Sequence, residues 1–103
     1  AFHYMVAEFG GNDIKCAKYE TFGTSKLANN VLKVIKDRNG CLISNHGQLT
    51  IANNLSNALN LAVSLEKISK QYFFCRLLKG TKTLSSKEMI KVLELFKDYK
   101  VKH

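Results

Sequence analysis

Short apolar runs broken by polar turns occupy the first half of the chain, and long amphipathic stretches occupy the second. Phe2 to Glu8 is dominated by aromatic and apolar types that suit a strand, and the GGND that follows reads as a turn. A second short strand is expected at Ile14 to Ala17. After TFGT, Thr24 or Ser25 can cap a helix running to about Arg38, in which Ala28, Val31, Leu32 and Ile35 fall at i, i+3, i+4 and i+7. That spacing predicts one buried stripe, with Lys26, Lys33 and Lys36 outside.

The DRNG stretch at 37–40 combines Asn and Gly where a helix must stop and the chain reverse. Cys41 to Asn45 then reads as a buried strand, His46 and Gly47 as a tight corner, and Gln48 to Ala52 as the partner strand. Asn54 is an N-cap for the longest helix, Leu55 to about Leu78, with Ala58, Ala62, Leu65, Ile68, Tyr72 and Cys75 along one face. Leu59, Leu61 and Val63 widen the apolar surface, which predicts burial on more than one side. A last helix opens at the capping box Ser85 and Glu88 and carries Met89, Val92, Leu93 and Phe96. The order ββ-α-ββ-α-α is an α/β arrangement with helices covering a sheet. Four short strands leave exposed edges, so the pattern reads as part of a larger structure.

With 103 residues, 46% of them hydrophobic, the chain makes one small unit. It holds no apolar run of about 18 residues and no leader-like opening, which leads to the expectation of a soluble, cytoplasmic protein without membrane contact. Cys16, Cys41 and Cys75 are odd in number and lack a CxxC pair, so reduced, buried thiols are expected. The net charge of +8 raises the question of nucleic acid. Residues 1–52 hold six basic and four acidic side chains and the remainder ten and four, and the excess lysines are spread along helices as a solvated face. Neither an RNP-like aromatic motif nor zinc-finger spacing accompanies them, so nucleic-acid binding is the least favoured function class. The first residue is Ala1, within what reads as a strand already under way, which suggests a fragment or a trimmed product.

His46 stands alone in CLISNHG, at the end of a strand. Such a histidine is more often a structural hydrogen-bonder than a metal ligand. The segments HYMVAEFGGNDIKCAKYETFGT (3–24) and CLISNHG (41–47), the helix opening NLSNALNLAVSLEKISKQYF and the tail LSSKEMIKVLELFKDYK together change that weighting. In that order they resemble the C-terminal half of the class II, zinc-dependent aldolases over essentially the whole chain. The resemblance implies that residues 1–103 are a single partial domain, the C-terminal part of a three-layer α/β/α sandwich with a mixed, largely antiparallel sheet. It also implies a fourfold-symmetric tetramer with active sites between subunits. The implied reaction is reversible cleavage of L-fuculose 1-phosphate to dihydroxyacetone phosphate and L-lactaldehyde, with Zn(2+) polarising the ketose oxygens. Related epimerases and dehydratases of phosphorylated ribulose derivatives would share the histidine corner, and TFGT after CAKYE favours the fuculose-type enzyme.

By the same resemblance His46 is the third of three histidine zinc ligands, and Tyr4 is a catalytic tyrosine that helps proton transfer in an adjacent subunit's site. Phe22 is an aromatic wall for substrate, and Phe96 and Tyr99 belong to a tail closing over substrate. Read from the residues alone, Tyr4 is an aromatic on a strand, Phe22 fills a core, and Phe96 and Tyr99 form a helix stripe. The other two histidines, the catalytic glutamate and the phosphate-binding loops belong to an N-terminal half that these residues do not match. One imidazole does not make a three-ligand zinc site, so the chain alone is expected neither to hold zinc nor to turn over. Activity would need a complementary N-terminal half chain. The alternative is a non-catalytic oligomeric remnant or binding module of the same fold, self-associating through its sheet edges. Lys15 and Lys18 stand where the family usually has prolines, which predicts a looser segment before Phe22.

Overall fold

A computed structural model describes residues 1–102, with side chains described through residue 97. Three strands form one sheet in the order β1 (Cys16–Ala17), β2 (Gly40–Ile43), β3 (Gly47–Thr50). β1 pairs with β2 in parallel, Cys16 beside Leu42, and β2 pairs with β3 antiparallel from Gly40–Thr50 to Ile43–Gly47. The sheet is mixed, as expected, but has three strands rather than four.

The missing strand is the first one. Tyr4–Phe9 forms a 3-10 helix instead. His3 Nδ1 accepts the Met5 N–H at 3.1 Å and caps its start, and Gly10, at φ 95°, ends it in the left-handed region. Three residues per turn bring Val6 and Phe9 to one side, where both are buried with Ala7. The aromatic and apolar composition that suggests a strand serves a helical core face here.

α1 (Ser25–Ile35) starts at Thr24, whose Oγ1 accepts the Leu27 N–H at 3.2 Å. The expected line Ala28, Val31, Leu32 and Ile35 holds at Val31 and Ile35, both half-buried like Val34, but Ala28 and Leu32 are exposed and Leu27 is buried instead. Leu27, Val31 and Val34 have helical spacing too, and the sheet beneath β1 and β2 selects between the two sets. α1 ends three residues early because Asp37 takes φ 61° and turns the chain toward Gly40. Arg38 then grips Asp13 at 2.8 Å and packs over Gly11, tying the turn before β1 to the one before β2.

α2 (Leu55–Leu78) has the expected bounds, with Asn54 Oδ1 accepting the Asn57 N–H at 2.8 Å. It packs against β3 and β2, whereas α1 packs against β1 and β2. Cross-strand partners share a face, so Leu42 and Gln48 point one way and Cys41 and Leu49 the other. Gln48 Nε2 donates to the Ala62 carbonyl at 3.1 Å, and Thr50 Oγ1 to that of Ala58 at 2.8 Å, which fixes α2 over β3. Leu65 and Ile68 join Val6, Ala7, Phe9 and Met89 in the main core, with Leu42, Leu61, Val92, Leu93 and Phe96 packed around it. α2 is not buried on a second side: Leu59 and Val63 are exposed.

α3 (Ser86–Lys102) begins where Ser85 Oγ accepts the Glu88 N–H at 3.1 Å. Met89 drops from it into the core. The Leu84 N–H donates to the Ala1 carbonyl at 2.7 Å, joining the start of the chain to the entry of this helix. Of the cysteines, Cys41 is buried and Cys75 half-buried, but Cys16 is exposed because the edge strand β1 is only two residues long. No described helix is long and apolar enough to cross a membrane.

Candidate functional site

His46 ends the three-residue turn that joins β2 to β3. Its backbone N–H donates to the Ile43 carbonyl at 3.1 Å, while Asn45 takes φ 57°. Asparagine tolerates this left-handed conformation better than any other non-glycine type. Ser44 Oγ donates to Asn45 Oδ1 at 2.8 Å and stiffens the turn further. The imidazole is exposed and takes no hydrogen-bond partner among the described side chains, so the structural hydrogen-bonding role has no support. A short hairpin thus presents one nitrogen donor to the outside.

Phe22 is presented similarly. Thr24 Oγ1 donates to the Thr21 carbonyl at 2.7 Å, closing a tight loop in which Gly23 takes φ 77°. The Phe22 ring is 80% exposed at its apex, which rules out core filling within this chain. The preceding segment is not loose despite its lysines. The Lys15 carbonyl accepts from the Leu42 N–H at 2.9 Å, and the Ala17 carbonyl from the Ser44 N–H at 3.0 Å.

Tyr4 and Phe96 are brought together across the 3-10 helix and α3, with ring centroids 6.4 Å apart. Tyr4 also stacks on His3 at 4.9 Å and remains 51% exposed, on a helix rather than the expected strand. Phe96 is half-buried and packs against the core. The Tyr99 side chain lies outside the described residues. No ring contact or hydrogen bond among the described residues links His46 or Phe22 to the Tyr4–Phe96 pair. The candidates form separate outward-facing groups rather than one closed pocket.

Phe96 also borders a cavity of about 610 Å³ that includes Glu8, Asn39, Asn53, Asn57, Asn60 and Ser64. Ser64 Oγ donates to Glu8 Oε1 at 3.4 Å within it. These polar residues were not foreseen. Their signal is the spacing of Asn57, Asn60 and Ser64 at i, i+3 and i+7 of α2, with Asn53 just ahead of the cap, a polar stripe that apolar periodicity passes over.

Zinc requires several His, Cys, Asp or Glu donors converging on one point. No group of three such residues that could hold a metal occurs among the described residues. This chain's described residues do not by themselves fit a zinc centre, and His46 supplies a single donor.

Comparison with known proteins gives these pieces their context. Residues 1–73 match the family described as Class II Aldolase and Adducin N-terminal domain. The chain is 42% identical over 99 residues to a 5-methylthioribulose-1-phosphate/5-deoxyribulose-1-phosphate aldolase of Rhodospirillum rubrum, covering 96% of this chain and 45% of that protein. It is 40% identical over 100 residues to the L-fuculose phosphate aldolase of Escherichia coli K12, covering 96% and 46% respectively. A solved L-fuculose 1-phosphate aldolase superposes with a TM-score of 0.88 at 38% identity, over 94% of this chain and 45% of that one. The chain thus spans somewhat under half the length of these relatives. The shared α/β layers, the near-complete coverage of these residues and the family match together establish that this chain belongs to the class II aldolase family.

Proposed function

We propose that these residues supply one part of a zinc-dependent class II aldolase that cleaves a 1-phosphorylated ketose, and that catalysis needs the remaining part of the fold. The observation that carries this reading is the pairing of near-complete coverage of the chain with coverage of only 45% of the Rhodospirillum rubrum relative. His46 is the metal donor of this part, held outward on a stiff turn. When bound, zinc supplies Lewis-acid polarisation of the substrate oxygens.

In this reading Tyr4 hands a proton to a site on a neighbouring chain, a role supported by its half-exposed ring stacked on His3 and lying beside Phe96. Phe22, carried on a rigid loop, gives an apolar wall to such a site. Phe96 and Tyr99 border substrate from α3. Residues 1–103 make one partial domain in this reading, and the intact enzyme assembles from several subunits in the cytoplasm. Among ketoses, L-fuculose 1-phosphate and 5-deoxyribulose 1-phosphate are the substrates to test first, since both chemistries occur in the names of the relatives.

The test is co-expression of this chain with the unmatched part of the Rhodospirillum rubrum relative, followed by assay of dihydroxyacetone phosphate release from each ketose. Turnover that is lost with His46→Ala and reduced at least tenfold with Tyr4→Phe is expected. A complex of both parts that holds zinc yet releases no product from either ketose would contradict the reading.

A further inference from the structure

The Tyr4 side chain is held by few contacts, and one neighbour supplies most of them. Among the described residues its hydroxyl takes no hydrogen bond, so its direction is set by the backbone beneath it and the rings beside it. Two rings flank it. The His3 imidazole lies with its centroid 4.9 Å away and its plane inclined by 22°, while Phe96 is tilted by 46° at 6.4 Å. The other ring contacts among the described residues are inclined by 55° or more, so His3 on Tyr4 is the near-parallel pair.

His3 also acts on the backbone that carries Tyr4. In extended conformation, at φ −150° and ψ 142°, it caps the 3-10 helix of which Tyr4 is the first residue, its Nδ1 accepting the Met5 N–H at 3.1 Å. Accepting at Nδ1 leaves the proton of a neutral ring on Nε2. The two contacts depend on each other, because the bond from Met5 fixes the plane of the imidazole and that plane is the surface on which Tyr4 stacks. Asparagine would serve the amide as well, and phenylalanine would serve the phenol as well. Histidine does both with one short ring. The imidazole is supported in turn: Phe2 lies 6.1 Å from it and leans on Tyr72 of α2 at 5.1 Å. A run of rings, Tyr72, Phe2, His3, Tyr4 and Phe96, thus leads from α2 to α3 with His3 at its centre.

Resting on the function proposed above, we propose that His3 is the positioning residue of Tyr4, aiming the phenol by capping its helix and stacking on its ring at once. Aim matters because a proton donor displaced by about 1 Å loses on the order of a hundredfold in rate.

His3→Asn separates the two contacts, since the amide keeps the cap and lacks the ring. Nuclear magnetic resonance of the chain follows Met5 amide exchange and the Overhauser contacts between the Tyr4 and Phe96 rings. In His3→Asn, Met5 exchange is expected to stay within about twofold of the parent while the Tyr4–Phe96 contacts fall by about half or more. His3→Phe, which keeps a ring and removes the acceptor, is expected to speed Met5 exchange about fivefold, and unchanged exchange overturns the capping half of the proposal. In a complex with the unmatched part of the Rhodospirillum rubrum relative, His3→Asn is expected to lower kcat about tenfold with KM within about twofold, as suits a group that acts through a proton donor.

A His3→Asn chain that matches the parent in both ring contacts and kcat overturns the proposal and leaves His3 a cap alone. Displaced contacts with parental kcat, in a complex that Tyr4→Phe slows, overturn it too. So does a lowered kcat with intact contacts, since His3 would then act by a route other than Tyr4. The two readings fail separately. A parental complex without turnover, or one indifferent to Tyr4→Phe, sinks the catalytic reading, while the ring contacts still decide whether His3 holds Tyr4.

Discussion

Gly40 lies against the ring of Phe9, so closely that a β-carbon on Gly40 would stand 2.9 Å from Phe9 Cδ1 and 3.3 Å from the Leu49 carbonyl. Phe9 is fully buried and cannot swing aside, and the second obstacle is backbone. Gly40 is thus required by close approach rather than by backbone angle. Gly40→Ala is expected to destabilise the chain by about 1–3 kcal/mol, the usual range for overpacking a filled core. Urea unfolding measures it, and a change below about 0.5 kcal/mol would show that the Phe9 seat is looser than described.

Lys18 in IKCAKY can be exchanged for the proline expected there. Among the described residues the Lys18 N–H donates no backbone hydrogen bond, the Lys18 carbonyl accepts from Asn30 Nδ2 at 3.3 Å, and the preceding Ala17 is already extended in β1. Proline keeps the carbonyl and removes only an unused donor. Lys18→Pro is therefore expected to raise stability by about 0.4–1 kcal/mol through the unfolded chain. Thermal unfolding reads this as a higher Tm, and a lowered Tm would mean that the local backbone does not suit the ring.

The cysteines should separate by reactivity and pH. Burial, and secondarily the nearby Cys16 thiol, push the Cys41 thiol above its ordinary value of 9.0. The folded chain thus resists forming this thiolate while the unfolded chain forms it freely. The stabilising contribution is complete below pH 9.0 and is lost as pH rises through the higher folded value. Iodoacetamide at neutral pH is expected to modify exposed Cys16 first and Cys41 only on unfolding, and Cys41→Ala is expected to flatten the alkaline fall in stability. Mass spectrometry showing Cys41 labelled as fast as Cys16 would contradict this.

Local signals were legible in the sequence because their partners are local. Thr24, Asn54 and Ser85 each cap a helix with a side-chain oxygen three residues from the amide it serves, and the bounds of α2 follow directly. Tyr4–Phe9 was not legible, since composition alone could not show that the His3 ring would cap a 3-10 helix or that Gly10 would end it. In α1, two stripes one residue apart fit the same period, and only the sheet beneath chooses Leu27 over Ala28. Periodicity marked Leu59 and Val63 as apolar but could not say whether this chain covers them. His46 was legible as a corner residue; its outward, partnerless presentation needed the hairpin geometry of Asn45.

The most direct measurement is retro-aldol turnover by these residues alone. The purified chain is incubated with zinc and L-fuculose 1-phosphate, and product and bound metal are quantified together. We predict no dihydroxyacetone phosphate above the uncatalysed rate and zinc well below one ion per chain, because His46 is a lone donor. Stoichiometric zinc with turnover, in the absence of any other polypeptide, would contradict the account.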